Sequence, residues 1–167
     1  MSVLNRIRIL LLAVWLGAAI YFSAVVAPAA FAVLRSFLLP NAGEIAGTIV
    51  TRSLAVVNVG GFVVSLLSLA TALILRNRYT RLSLILQSIL LAVVGVACGV
   101  GEWVIAARMR GLRVVMHGQI DQVPLTDPNR LAFATLHGYS VSALAVAIIA
   151  GLIAFFVITT RVDRIER

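Results

Sequence analysis

The sequence predicts an all-α integral membrane protein, a bundle of four transmembrane helices. Three observations predict this class. Of the 167 residues, 62% are hydrophobic and 12% are charged, whereas a soluble domain carries about a quarter charged residues. Four stretches reach the roughly 20 mostly apolar residues that a spanning helix needs. Inside them only Glu102 is unambiguously charged, as the cost of burying an ion in hydrocarbon requires.

The four predicted spans take up most of the chain, which we interpret as a single domain. They cover residues 9–34, 54–75, 82–107 and 134–160. The first span follows Arg6 and Arg8, as the apolar part of a signal peptide would, but it runs well past the about 7 to 15 residues typical of such a region. We therefore interpret it as a retained span, with cleavage after Ala18–Ala19 as the alternative.

The arginines predict the orientation of the chain in the membrane. All 14 basic residues are arginines, and eight of them flank the amino end, the link after the second span and the tail, against six in the two longer connections. Because basic residues in short flanks are enriched on the cytoplasmic side, both termini are expected in the cytoplasm. The exclusive use of arginine is typical of a GC-rich bacterial genome, so the predicted location is the bacterial inner membrane. The arginines are scattered without interleaved aromatic residues, which does not indicate nucleic-acid binding.

The two longer connections are interpreted as helix extensions rather than as slack loops. Pro40-Asn41 predicts a turn in which Asn41 caps the second helix. The third helix is expected to continue to about His117-Gly118, and Asp127-Pro128 is typical of an N-cap followed by the first helical residue. Helices two to four are therefore predicted to extend beyond the bilayer on the non-cytoplasmic side.

Small and polar residues recur at steps of three and four, and in membrane helices such residues mark packing faces. The predicted interior faces are Gly17, Tyr21, Ala24, Pro28 and Phe31 in helix one; Glu44, Gly47, Thr51, Leu54, Asn58, Gly61, Ser65, Ser68 and Ala72 in helix two; Ser88, Ala92, Gly95, Gly99, Glu102, Ala106, Met109 and Arg113 in helix three; and Arg130, Phe133, His137, Ser140, Leu144, Ala147 and Gly151 in helix four. Pro28 also predicts a kink in helix one, because proline removes a helical hydrogen bond.

A polar cluster is expected near the non-cytoplasmic interface. It comprises Glu102, His137, Asn58, Arg52, Arg108 and Ser140. An ionisable residue within a membrane is a functional hypothesis that needs a named partner, and the candidate partners of Glu102 are His137, Arg52 and Arg108. Two interpretations stay open. The cluster either fixes the register of the helices through an ion pair or hydrogen bond, or it forms a polar pocket for a cation, a proton or a headgroup.

Metal ligands are present but sparse. Met109, Met116, His117 and His137 would suit copper(I), yet no paired spacing of such ligands occurs. We therefore predict no metal site and keep copper as the weaker alternative. A haem would need axial ligands on facing helices, and His117 is expected outside the membrane. The lone Cys98 gives no disulfide framework, and no catalytic signature is present, so we expect neither a cofactor nor enzymatic activity.

Three parts of the chain carry a family resemblance. They are Trp15–Phe22 with Val26–Phe31 in the first span, Ala42–Gly47 before the second span, and Phe133–Ser140 at the start of the fourth. With these segments the sequence resembles the bacterial DUF4149 or TMEM205-like membrane family. The resemblance implies a four-helix membrane domain with a proline in helix one, here Pro28, and a histidine at the start of helix four, here His137. Links of relatives to copper resistance and platinum-drug tolerance imply metal handling as an alternative role.

Two functional hypotheses follow from the sequence. The first is a non-catalytic accessory, structural or assembly subunit of a larger membrane complex, whose partners are the lipid bilayer and other membrane subunits or a second copy. The alternative is a small transporter or metal-tolerance protein that uses the polar cluster. Binding of a lipid headgroup through the non-cytoplasmic arginines is a third hypothesis. The sequence names no substrate.

Overall fold

The computed structural model describes residues 3–39, 41–116 and 120–160. They form four long helices, α1 (Val3–Ser36), α2 (Ala42–Ile74), α3 (Arg81–Val115) and α4 (Pro128–Thr160). Two 3₁₀ turns, Arg76–Arg78 and Ile120–Gln122, lie in the connections. The described part of the chain contains no strand, and all four helices are long and apolar enough to cross a membrane. The predicted fold class is confirmed.

The four helices pack as a ring. Each contacts the helix before and after it along the chain, and α4 closes the ring against α1. Because the connections are short, neighbouring helices run antiparallel, so the described loop residues 37–39 and 120–127 lie at one end of the bundle. We call this the loop end, and the opposite end, with the start of α1 and the 75–80 link, the terminal end. At 33 to 35 residues each helix spans roughly 50 Å, more than the ~30 Å hydrocarbon core. Which end faces the cytoplasm stays a prediction.

The ends of the helices at the loop end test the cap predictions. Asp127 caps α4 as expected, since its Oδ1 accepts hydrogen bonds from the backbone N–H groups of Asn129 (2.7 Å) and Arg130 (3.2 Å). The prediction that Asn41 caps α2 is wrong. Its side chain makes no capping hydrogen bond, because its backbone (φ −119°, ψ 25°) lies outside the extended region that a capping residue requires. Pro40 and His117-Gly118 lie outside the described residues.

The predicted interior face of α2 is confirmed. Gly47, Asn58, Gly61, Ser65, Ser68 and Ala72 are buried, while Glu44, Thr51 and Leu54 are half-buried. In α4, Ser140, Leu144, Ala147 and Gly151 are buried as predicted, but His137 is exposed because it borders an open cleft. Small residues on these two helices leave room for large side chains of their neighbours.

The predicted interior face of α1 is wrong. Of the five predicted residues, Gly17, Tyr21, Ala24 and Pro28 are exposed and only Phe31 is half-buried. The buried residues are Asn5, Arg8, Leu12, Trp15, Leu16, Ala19 and Phe22. The reason is complementarity of size between helices. A Cβ built on Gly61 of α2 would lie 2.6 Å from the Nε1 of Trp15, and one on Gly151 of α4 would lie 2.9 Å from its ring. The glycines of α2 and α4 therefore receive the indole, and α1 contributes the large partner.

Two π-helical turns interrupt the regular helical spacing. In α3 the segment Val100–Ala106 is π-helical, and a π turn holds an extra residue and rotates the interior face. Gly95, Glu102 and Ala106 are buried as predicted, but before the turn Ala92 is exposed and Ser88 and Gly99 are only half-buried, while Gln87, Leu91, Val94 and Cys98 are buried instead. In α1 the segment Phe22–Val26 is π-helical, with the N–H of Ala27 bonded to the carbonyl of Phe22. This irregularity directly precedes Pro28, where the sequence predicts a kink.

Candidate binding cleft

A polar chamber of about 570 Å³ opens at the loop end, lined by residues of all four helices. Among the described side chains, its charged lining consists of Arg35 of α1, Glu44 of α2, Arg113 of α3 and Arg130 of α4, with His137 also in the wall. Three guanidinium groups against one carboxylate give this described lining a formal excess of two positive charges. The chamber therefore favours an anionic group.

Arg113 is fixed at the centre of this lining. Its Nη1 donates to Oε1 of Glu44 at 3.2 Å, and its Cζ lies 5.4 Å from the ring centroid of Phe133. A Cβ on Gly47 would lie 2.7 Å from Nη2 of the same guanidinium. The guanidinium of Arg113 therefore packs directly against Gly47, and the carboxylate of Glu44 and the ring of Phe133 hold the guanidinium in place.

The other two cations are less engaged. Arg35 stacks over Phe31, with its Cζ 5.8 Å from the ring centroid, and pairs with no carboxylate among the described side chains. Arg130 donates from Nη1 to the backbone carbonyl of Val123, which orders the side chain without neutralising it. Toward the described side chains, both guanidiniums therefore have N–H groups that make no hydrogen bond.

Glu102 lies deeper, next to a small cavity of about 40 Å³ that it shares with His137 and Ser140. Its partner is Arg110, whose Nη1 donates to Oε1 at 3.0 Å. None of the predicted partners His137, Arg52 and Arg108 pairs with it, so that prediction is wrong. The two residues are eight positions apart on α3, and the arginine reaches back over the π turn. The other carboxylate oxygen, Oε2, is buried without a hydrogen-bond partner.

An apolar chamber of about 340 Å³ adjoins the polar one, and the two share Phe31, Val50 and His137 in their walls. Its remaining lining is almost entirely hydrocarbon, including Phe22, Ala27, Pro28, Leu144, Ala145 and Ile148. The chamber exists because α1 leaves α4 after the π turn. The segment Ala27–Ser36 packs on α2 and makes no comparable approach to α4 within the described part of the chain, although the preceding segment of α1 does.

The structure brings together only part of the predicted polar cluster. Glu102, His137 and Ser140 share one cavity. Asn58 is buried next to Gly101, where a Cβ would lie 3.2 Å from its Nδ2, but it does not line that cavity. Arg52 and Arg108 are exposed and line none of the chambers described above.

The structure also brings together only some of the candidate copper ligands. Met109 and His137 line the polar chamber together, whereas Met116 is buried away from it and His117 lies outside the described residues. Within the described ranges, no group of three or more His, Cys, Asp or Glu side chains is arranged to hold a metal ion. Cys98 is buried deeper in α3, close to Gly61.

Sequence reasoning named the non-cytoplasmic arginines only as a group and Arg130 only as part of an interior face, so it did not single out Arg35, Arg110 or Arg130, and it missed the pair of Glu44 and Arg113. A signal for that pair was present, because both residues fall on predicted interior faces at the same end of adjacent antiparallel helices. The contribution of Arg35 had no such signal, since it depends on the course of α1 after its π turn.

A second polar cluster lies at the terminal end. Arg8 is 2% exposed and donates from Nη2 to Oε1 of Gln87, which is 1% exposed. Its Cζ lies 5.9 Å from the ring centroid of Tyr79, whose hydroxyl donates to Oδ1 of Asn5 at 2.9 Å. Nε and Nη1 of Arg8 and Nε2 of Gln87 are buried without partners. The cluster ties α1 to α3 and to the link before it.

Four apolar helices packed in a ring, in which the ion pairs between described side chains lie at the loop end, define a multi-pass membrane protein. Residues 10–117, well over half of the chain, match the family described as "Domain of unknown function (DUF4149)". The chain belongs to this family. No curated protein and no solved structure matches this chain.

Proposed function

We propose that the protein is a non-catalytic membrane protein whose polar chamber binds an anionic group such as a phosphate ester. The observation that carries the proposal is the lining of three guanidiniums and one carboxylate around about 570 Å³. Guanidinium groups match phosphate and carboxylate geometry with paired hydrogen bonds. Near a membrane surface the effective dielectric is lower than in water, which strengthens such contacts.

The charges of the chamber support binding of an anion rather than proton or cation transfer. Each carboxylate is paired through one oxygen, Glu44 with Arg113 and Glu102 with Arg110, while its other oxygen has no hydrogen-bond partner among the described residues. A cation is disfavoured by the charge of the described lining, whose positive excess remains with Arg35 and Arg130.

The test uses butyl phosphate, a soluble phosphate ester, with the purified full-length protein in a nonionic detergent. Titration calorimetry should show saturable binding that weakens with added salt. Arg113→Gln and Arg130→Gln should each lower the affinity by roughly tenfold or more, the usual effect of removing a hydrogen bond to a charged group. Arg108→Gln is the matched control, because Arg108 lies on the same helix but outside the chamber. No binding, or an equal loss in the control, would contradict the proposal.

A second candidate function is the accessory subunit predicted from the sequence. The observation that favours it is the exposed side of α1, where Gly17 has no atom within 4 Å of a Cβ position and Ala24 is also exposed. Small residues facing lipid allow another transmembrane helix to approach closely. Co-purification from native membranes tests this role. Gly17→Leu should reduce recovery of a larger partner, whereas Gly111→Leu, at an equally open position, should not.

A further inference from the structure

We propose that the ligand is a membrane lipid with an anionic headgroup, whose headgroup occupies the polar chamber and whose acyl chain occupies the apolar chamber beside it. This inference rests on the proposed function and names the class of ligand. It is carried by the position of the two chambers side by side, with Phe31, Val50 and His137 in the walls of both. A soluble anion would need the first chamber and would leave the second one empty.

The polarity of the cleft changes along its length. At the loop end the walls carry Arg35, Arg113 and Arg130. Toward the middle of the bundle they become Phe22, Leu144 and Ile148. An amphiphile has the same order of groups, with a charged end and a hydrocarbon end. A ligand that was polar throughout would place polar atoms against hydrocarbon walls, which costs free energy when they lack hydrogen-bond partners.

The course of α1 provides the route of entry. The apolar chamber lies between the Ala27–Ser36 segment and α4, which make few contacts with each other. Two of its lining residues, Pro28 of α1 and Ala145 of α4, are exposed, and both belong to the uncharged spans predicted at 9–34 and 134–160, so we infer that the chamber opens between these two helices. The opening therefore faces hydrocarbon rather than water. A lipid can move in laterally and keep its chain in an apolar environment throughout, whereas a water-soluble amphiphile would have to cross the arginines first.

The acyl chain of the lipid orients the bound molecule but adds little affinity. Transfer of the acyl chain from the bilayer into an apolar cleft yields little hydrophobic free energy, because lipid tails are as apolar as the side chains that line the cleft. The arginines supply the attraction, and the apolar chamber restricts which molecules can present a headgroup to them. An anionic lipid should therefore be preferred over a zwitterionic lipid with the same chains.

The test is photo-crosslinking in phosphatidylcholine vesicles that contain a small fraction of phosphatidic acid with a diazirine in its acyl chain. In the wild-type protein we expect crosslinks concentrated in residues 22–31 and 141–148, as mapped by mass spectrometry. Ala145→Phe should fill the chamber and reduce these crosslinks by at least roughly fivefold, the lower end of overpacking costs. Ala70→Phe is the matched control, because Ala70 is exposed on α2 outside the two chambers.

The outcomes separate the two proposals. Ala145 does not line the polar chamber, so Ala145→Phe should bind butyl phosphate like the wild type, which also shows that it folds. If butyl phosphate binds but the crosslinks are spread evenly over the lipid-facing surface, the lipid inference is overturned and the anion site stands. If phosphatidylcholine with the same diazirine chain labels the chamber as strongly as phosphatidic acid, the chamber is not selective for anionic lipids, and the inference is again overturned.

Discussion

Gly47 of α2 lies directly beneath the guanidinium of Arg113 of α3, so close that a Cβ at position 47 would be 2.7 Å from Nη2. The contact connects the packing of two helices to the chemistry of the polar chamber. Because Gly47 has no side chain, the guanidinium of Arg113 can occupy this position. Arg113 in turn holds Glu44 at 3.2 Å.

Gly47→Ala should therefore affect binding more than stability. The added methyl meets the flexible end of an arginine, which can move away, so we expect the melting temperature to change little. The displaced guanidinium loses Glu44 as a partner, and binding of butyl phosphate should weaken by roughly tenfold. Gly111→Ala, where no atom lies within 4 Å of the new Cβ, is the control for helix propensity. Unchanged affinity in Gly47→Ala would show that the position of Arg113 does not matter to the site.

Gly61→Ala should have the opposite profile, with a large loss of stability. Its Cβ would lie 2.6 Å from both Sγ of Cys98 and Nε1 of Trp15, and the indole is fixed by its hydrogen bond to the carbonyl of Val57 at 3.0 Å. Overpacking of a rigid core costs about 1–3 kcal/mol. Thermal unfolding in mild detergent should show a clearly lowered melting temperature, with Gly17→Ala as the neutral control. Equal melting temperatures for Gly61→Ala and Gly17→Ala would contradict this account, because they would mean that α2 can move away from Trp15 and Cys98 without a loss of stability.

The buried Arg8 gives a prediction on stability at the terminal end. Gln87→Leu removes an acceptor of its guanidinium, and we expect a loss of about 1–3 kcal/mol from the uncompensated donor. The double variant Arg8→Met with Gln87→Leu should recover most of that loss, because apolar residues of similar volume can replace a buried polar pair at little cost. Thermal unfolding of the wild type, of Gln87→Leu, of Arg8→Met and of the double variant completes a double-mutant cycle. A double variant less stable than Gln87→Leu would contradict this account.

The orientation predicted from the arginines can be tested with a thiol reagent that does not cross membranes. In a Cys98→Ser background, Leu125→Cys at the loop end should react in right-side-out vesicles, and Asn77→Cys in the link at the terminal end should react only in inverted ones. Both positions are exposed, so access decides the result. The wild-type Cys98, which is 1% exposed, should react in neither preparation. The reverse labelling pattern would place the termini outside the cytoplasm.

The helical fold was predictable because lipid leaves few alternatives. A backbone in hydrocarbon must satisfy its own hydrogen bonds, so four long apolar stretches specify four helices, and the Asp127-Pro128 cap marked the start of α4 correctly. The interior of α2 was also predictable from its small residues. The face of α1 was not, because its large side chains, above all Trp15, fill the space that the glycines of α2 and α4 leave. The face of the first half of α3 was only partly predictable, because the π turn at Val100–Ala106 changes the rotation that a constant step assumes.

The spans, their order and the end of the bundle at which Glu102 and His137 lie could be read from the sequence, because length and polarity alone decide what can lie in a bilayer. Only the tertiary structure decided which charges meet. Glu102 bonds to Arg110 rather than to His137, Arg52 or Arg108, and Glu44 bonds to Arg113, since such pairs depend on the rotation of each helix and on the reach of its side chains. The joined polar and apolar chambers arise in the same way, from the divergence of α1 from α4, which depends on the packing of the helices rather than on any single span.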